Sequence, residues 1–146
     1  MIVEVISQNN LAAITTLALA LWPDCTYEAE LEHYKTIITA SNEVCFTVKL
    51  QDQYIAFIHI SAHHDYVEGA ITLPVAYIEG IYVHANYRKH GIARVLLNEA
   101  YAWAKQKGFK QIASDTEIEN QTSIAFHKNN GFEVMERKVC FIKSLH

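Results

Sequence analysis

Six consecutive residues, Arg88-Lys89-His90-Gly91-Ile92-Ala93, combine cations, a glycine and the start of a helical pattern. The first N–H groups of a helix lack internal partners, and the macrodipole adds partial positive charge there, so such a turn suits a phosphate. Small residues at Gly91 and Ala93 let a pyrophosphate approach those amides, and Arg88 and Lys89 supply full charge. No Gly-Lys-Ser/Thr follows, and the three-glycine dinucleotide fingerprint is missing. An ordinary strand–loop–helix with a glycine turn is the plainer reading of the same residues. Just upstream, Glu79 sets a carboxylate in an apolar run, where an unpartnered one is almost never fully buried. Its neighbour Gly80 removes a side chain in mid-strand, which marks a bulge or a ligand brought close to the backbone.

These residues need a strand in front and a helix behind. Tyr77 to Val83, aromatic and β-branched, predicts a strand buried on both faces. From Gly91 the apolar Ile92, Val95, Leu96 and Ala100 recur at helical spacing, and the helix continues through Trp103 to Lys107-Gly108. Met1 to Ile6 predicts a first strand. Asn9 or Asn10 caps a helix to about Leu21, which ends because Trp22 precedes Pro23. Thr26 precedes a second helix to about Ala40. Val44 to Leu50 and Tyr54 to Ser61 predict an antiparallel pair joined at Gln51-Asp52-Gln53, followed by a polar loop over Ala62 to Gly69.

Lys110 to Ser114 predicts a strand with Asp115 at its carboxyl end, where ligands gather in open α/β sheets; a turn starter is the alternative for Asp115-Thr116. Asn120 or Thr122 caps a helix through Lys128, Gly131 closes it, and Phe132 to Ile142 predicts a last strand or hairpin arm. Glu136 falls inside that strand, either among apolar neighbours or on an exposed edge. Tyr66 offers a hydroxyl or ring to a ligand, or anchors its loop. The order of elements, with a βαβ core between residues 76 and 115, predicts a mixed sheet with helices on both faces.

At 146 residues the chain is most simply one domain, and with 51% hydrophobic and 19% charged residues it is not a disordered one. No window reaches the apolar length of a membrane span, and the N-terminus lacks the pattern of a signal peptide, so a cytoplasmic protein is expected. A net charge of −4 disfavours nucleic acid and permits a cationic substrate. Cys25, Cys45 and Cys140 form no metal or redox spacing; Cys45 and Cys140 lie in apolar runs and are expected to be buried thiols. His59, His63, His64 and Asp65 could be imagined as metal ligands, but no second cluster has ligand spacing, so no metal is expected.

The run Arg88-x-x-Gly91-x-Ala93 after a strand resembles the acetyl-CoA motif of the GNAT N-acetyltransferases. Asn120, Ala125 and Asn130-Gly131-Phe132 resemble that family's closing segment. A closer likeness, to the aminoglycoside 6′-N-acetyltransferases, rests on Leu21-Trp22-Pro23, His64-Asp65-Tyr66-Val67, Glu79-Gly80-Ile81, Ala113-Ser114-Asp115-Thr116 and Glu136-Arg137. The fold this implies is α+β, a central mixed, mostly antiparallel sheet with helices on both faces.

The resemblance implies acetyl transfer from acetyl-CoA to an aminoglycoside amine by direct attack. The backbone of Ile81, Tyr82 and Val83 would hold the pantetheine and thioester. The turn Arg88, Lys89, His90, Gly91, Ile92, Ala93 and Arg94 would hold the pyrophosphate, and Asn120 the coenzyme arm. Trp22, Tyr66, Glu79, Asp115 and Glu136 would line a pocket for a polycation; a flat indole also suits a sugar ring. Asp115, with Glu79 second, would take the proton, directly or through water; an ordinary aspartate is a weak base at neutral pH, and clustering with Glu79 and Glu136 would raise Asp115 while a bound ammonium would lower it again. Many members carry a tyrosine four residues before the Gly-Phe glycine to protonate the departing thiolate. Here that position is His127, which leaves three alternatives: the histidine donates the proton, water does, or the thiolate leaves unassisted. Family members are often dimers, which implies a homodimer. The competing readings are a GNAT enzyme for another amine, such as a polyamine, and a non-catalytic acetyl-CoA sensor.

Overall fold

Five strands hydrogen-bond in chain order to form one open sheet: β1 (Ile2–Val5), β2 (Glu43–Leu50), β3 (Gln53–His63), β4 (Val75–Val83) and β5 (Ile112–Ala113). The first four are antiparallel and β5 runs parallel to β4. Four α-helices accompany them: α1 (Leu11–Leu21), α2 (Tyr27–Ile37), α3 (Ile92–Gln106) and α4 (Gln121–Asn129). The structure, a computed structural model, describes residues 1–146, which form two compact units, Met1–Ser114 and Asp115–His146.

In the first unit the expected sheet, covered on both faces, is observed, and side-chain alternation explains it. Cys45 and Phe57 point to one face, where they join Ile14, Leu17 and Ala18 of α1 and Tyr34 and Ile37 of α2 in one buried cluster. Ala56, Ile58 and Ile60 alternate with Phe57 and so turn to the other face, where all three are fully buried. Helix α3 packs on β2, β3 and β4 and buries Ile92, Leu96, Leu97, Ala100 and Ala104. The β2–β3 turn is two residues, not three: Gln51 and Asp52 both take positive φ, and Leu50 pairs with Gln53. Two left-handed residues give the hairpin turn whose twist matches the strands.

Capping follows the expected residues with one exchange of roles. The Thr26 hydroxyl accepts the Ala29 N–H at 3.2 Å and starts α2. Asn10 holds the N-cap position of α1, yet its side chain bonds away from the helix, accepting from Ser7 N–H and donating to Glu4 and to the Val5 carbonyl. Fully buried, it ties β1 to the start of α1.

Register along β4 contains the expected bulge. Gly80 faces His59 and Ile78 faces Ile60, so Glu79 is the extra residue. Tyr77 faces Ser61 and Tyr82 faces Phe57, so the insertion leaves Tyr77, Glu79, Gly80 and Tyr82 all turned toward the α1–α2 face. The gap at Gly80 is filled by protein. A Cβ built there would lie 3.0 Å from Cζ2 of Trp22 and closer still to Cη2, so the close approach is that of an indole ring, not a ligand's.

Deep in the same face, His59 is buried and its Nε2 donates to Glu43 Oε1 at 2.8 Å. Burial pushes its imidazole below the ordinary histidine range, against the raising effect of Glu43. The unfolded chain therefore binds a proton that the folded one resists, so stability falls as pH drops below about 6.5. Thermal melts from pH 7.5 to 5 should show that decline, and His59→Gln should flatten it; an unchanged slope in the variant would exclude His59 as its source.

Four expectations are corrected. Phe132–His146 contains no strand, because the sheet ends at β5 and a strand cannot persist without partners for its backbone groups. Cys140 on that segment is consequently exposed, while Cys45 is buried as expected. Strand β3 runs on to His63, which therefore belongs to the sheet and not to the loop. The strand expected over Lys110 to Ser114 is shortened to Ile112–Ala113.

Candidate active site

Strands β4 and β5 pair only at Ala76–Ile112 and Tyr77–Ala113. Beyond Tyr77 the β5-facing edge of β4 has no neighbouring strand, so backbone groups from Ile78 on that side, apart from the Val83 carbonyl, are available to an extended ligand. Ile81, Tyr82 and Val83 lie on this stretch of β4. The Val83 carbonyl accepts from Arg88 Nε at 2.8 Å, and the Arg88 guanidinium lies 5.5 Å from the Tyr82 ring centre. Arg88 thus braces the end of β4 as well as adding charge.

A 3₁₀ turn, Ala85–Tyr87, leads to the cation-rich loop. Lys89 takes φ +66° and Gly91 φ +79°, and the two left-handed residues turn the chain into α3. Gly91 is the N-cap, without a side chain to occupy the first amides of the helix. Arg88, Lys89, His90 and Arg94 are exposed around that start, with Ile92 anchored in the core and Ala93 partly covered. Uncapped amides ringed by cations are what a pyrophosphate needs.

On the α1–α2 face, Trp22 lies over Gly80 and meets Phe57 edge-on with ring centres 6.4 Å apart. The half-buried ring packs against the core and flanks the bulge that carries Glu79. Glu79 Oε1 accepts from Ser61 Oγ at 2.6 Å and from His63 Nε2. His63 in turn stacks flat on Tyr77, with centres 4.1 Å apart and planes at 8°. Burial pushes the Glu79 carboxyl up, but the Ser61 and His63 bonds outweigh it and hold the group below the ordinary carboxylate range. A carboxylate so held is suited to holding a cation more than to taking a proton. Ser61, His63 and Tyr77 were missed as site residues, although the alternation His59-x-Ser61-x-His63 already places three polar groups on one strand face.

Tyr66 is 80% exposed on the loop between β3 and β4, a loop tied to the residue before β5 by Gln111, whose side chain accepts from Ile71 N–H at 2.7 Å. His59 and His63 are each bonded to a glutamate, and no three His, Cys, Asp or Glu residues are grouped to hold a metal.

The second unit holds the remaining candidates. Asp115 is exposed and lies two residues past β5. Asn120 caps α4, its Oδ1 accepting from Ser123 N–H at 3.0 Å, which leaves its amide nitrogen for a coenzyme carbonyl. His127 sits on α4 between Phe126 and Phe132, with Nδ1 2.7 Å from the Ser123 carbonyl oxygen. A carbonyl only accepts, so Nδ1 carries the hydrogen and the neutral ring has an unprotonated Nε2. Glu136 is exposed on the segment after Gly131.

Residues 9–132 match the sequence profile of the Acetyltransferase (GNAT) family. A splayed sheet edge beside an uncapped, cation-rich helix start is the framework of an acetyl-CoA-dependent transferase, and the chain belongs to the GNAT acetyltransferases. Within that family it is 36% identical, over 96% of both chains, to an aminoglycoside N(6′)-acetyltransferase type 1 of Acinetobacter baumannii. It is 34% identical to one of Serratia marcescens, over 98% of this chain and 99% of the other. The structure superposes with a TM-score of 0.93 on AAC(6′)-Iy in complex with the bisubstrate analogue CoA-S-monomethyl-acetylneamine, at 31% identity over 99% of this chain and 98% of that one.

Proposed function

We propose that this chain transfers the acetyl group of acetyl-CoA to the 6′-amino group of aminoglycoside antibiotics, and so gives resistance to them. The observation that carries the reading is the open edge of β4, which begins beside a fixed carboxylate: a slot for the thioester adjoins an anchor for a cation. The substrate class is supported by relatives of that activity along nearly the whole chain. One acetyltransferase domain spanning both units is supported by the family match over residues 9–132, and the location that belongs to this reading is the cytoplasm.

In this reading the β4 backbone holds the pantetheine, and an amide at Ile81 or Tyr82 donates to the thioester oxygen as it gains charge. The α3 start binds the pyrophosphate. Trp22, Tyr66, Glu79, Asp115 and Glu136 receive the polycation, and Asp115 removes the proton from the attacking ammonium, directly or through water. The free amine then attacks the thioester carbon, the C–S bond breaks and the CoA thiolate leaves, and the second amine proton passes to that thiolate, directly or through solvent, to give the amide and CoA thiol.

The decisive assay is thiol release from acetyl-CoA with kanamycin, with its 6′-hydroxyl analogue, and with spermidine. Release with kanamycin alone supports both the drug class and the 6′ position. Release with spermidine alone would replace the substrate, and binding of acetyl-CoA without any release would favour a sensor.

His127 is expected to matter less than its position suggests. With Nδ1–H committed to Ser123, only the imidazolium could protonate a thiolate, and a thiolate whose conjugate acid has a pKa of about 8.5 leaves well unaided. His127→Ala should change kcat by less than about tenfold; a loss of about 10²-fold or more would establish general acid catalysis.

A homodimer is part of the same reading. Its support is the bare segment after Gly131, where Val139, Phe141 and Ile142 are 68%, 91% and 99% exposed. An apolar run this open fits a strand that pairs with a second copy. Light scattering should give twice the 16.6 kDa chain mass, reduced to a single chain by Phe141→Asp with Ile142→Asp. A wild-type monomer would remove the dimer.

A further inference from the structure

The carboxylate of Glu79 is held in an asymmetric way. Ser61 Oγ and His63 Nε2 both donate to Oε1. No bond reaches Oε2, and since no buried side-chain oxygen lacks a partner, Oε2 is open to solvent. The pair is partly covered, with side-chain exposures of 35% for His63 and 32% for Glu79. Each member of the arrangement is fixed by the sheet. Ser61 is paired with Tyr77 across β3 and β4, His63 lies two residues further on the same face, and its ring is pinned flat on Tyr77. The bulge at Glu79 then brings the carboxylate onto this face beside Gly80 and Trp22.

We infer that Ser61 and His63 act as a positioning clamp on Glu79, locking one carboxylate oxygen to the protein so that the other faces outward to receive an ammonium group of the substrate. The inference deepens the aminoglycoside reading and rests on it for the substrate's identity. Two donors on one oxygen remove the rotational freedom of the carboxylate, so less order is lost when a cation binds. They also keep the carboxylate ionised in a half-buried place. The other titratable groups of this face do not compete for the role: His59 is bonded to Glu43, and His33 packs edge-on against His59 at 5.7 Å. Tyr77 serves as the stacking platform.

The clamp is read by a split between kinetic constants. His63→Ala should raise the KM for kanamycin roughly tenfold, as loss of a hydrogen bond to a charged group does, with kcat and the KM for acetyl-CoA within about twofold of wild type. His63→Gln, which restores an N–H donor, should recover most of the loss. In a Glu79→Gln background, His63→Ala should have no further effect on kanamycin KM. Equal increases in both KM values, or full additivity with Glu79→Gln, would overturn the clamp. A substrate-free readout separates this from the functional reading: by carbon NMR, Glu79 should titrate at higher pH in His63→Ala than in wild type. An unshifted titration refutes the clamp whatever the substrate is. A shifted one, in a protein inert toward kanamycin, keeps the clamp and discards the aminoglycoside.

Discussion

Asp115→Asn is expected to lower kcat on kanamycin by about 10²–10⁴-fold while leaving the Kd of acetyl-CoA unchanged. The size follows from the role. An aminoglycoside amine arrives protonated, and an ammonium has no lone pair with which to attack. Something must take that proton, and Asn cannot. Glu79 is a poor substitute, because its hydrogen bonds hold it ionised below the ordinary carboxylate range and one of its oxygens is already engaged. Activity should not vanish entirely, because positioning two reactants supplies roughly 7–11 kcal/mol of a barrier by itself. Coenzyme affinity should survive because the substitution alters none of the groups read as holding the coenzyme: the phosphate turn, the β4 edge and Asn120. The measurement is steady-state kinetics beside calorimetric acetyl-CoA binding. Parallel loss of both would indicate damage to folding and remove Asp115 from the chemistry.

Gly80→Ala is expected to destabilise the fold by about 1–3 kcal/mol, the usual cost of forcing a methyl into filled space. The new Cβ would overlap the Trp22 ring, with Leu21 3.2 Å away on the other side, so the indole must tilt out. For a chain of this length such a loss corresponds to a fall in Tm of roughly 2–4 °C per kcal/mol. The displaced ring would also widen the wall beside Glu79, so the kanamycin KM should rise with the loss of stability. Coupling tests the cause. In a Trp22→Ala background the added methyl meets no indole, and the double variant should be more stable than the sum of the two single changes predicts. Strict additivity would show that Gly80 is required for its backbone and not for the ring above it.

The parts of this site that depend on local chemistry were legible in the chain. Gly91 after two cations, a carboxylate and a glycine in mid-strand, and Thr26 ahead of a helical pattern each carry their meaning within a few residues, because caps, bulges and helix starts are short-range structures. The helices followed for the same reason. What alternation could not give was the end of β3: His63 reads as loop because polar residues follow it, yet its backbone pairs with Val75. The segment after Gly131 failed in the opposite direction. Its β-branched and aromatic residues favour a strand, but propensity supplies no hydrogen-bond partner, and the sheet of this chain ends at β5.

The sequence by itself determined that a glycine-capped, cation-flanked helix start follows a bulged strand, and which carboxylates and indole the chain has to offer a cation. Only the tertiary structure decided which groups meet. It set Trp22 over Gly80 and committed Glu79 to Ser61 and His63, and it left the edge of β4 open beyond Tyr77. Those outcomes depend on strand register and on the helix laid across the sheet, and side chains 16, 18 or 58 positions apart carry no mark in the sequence that they will touch.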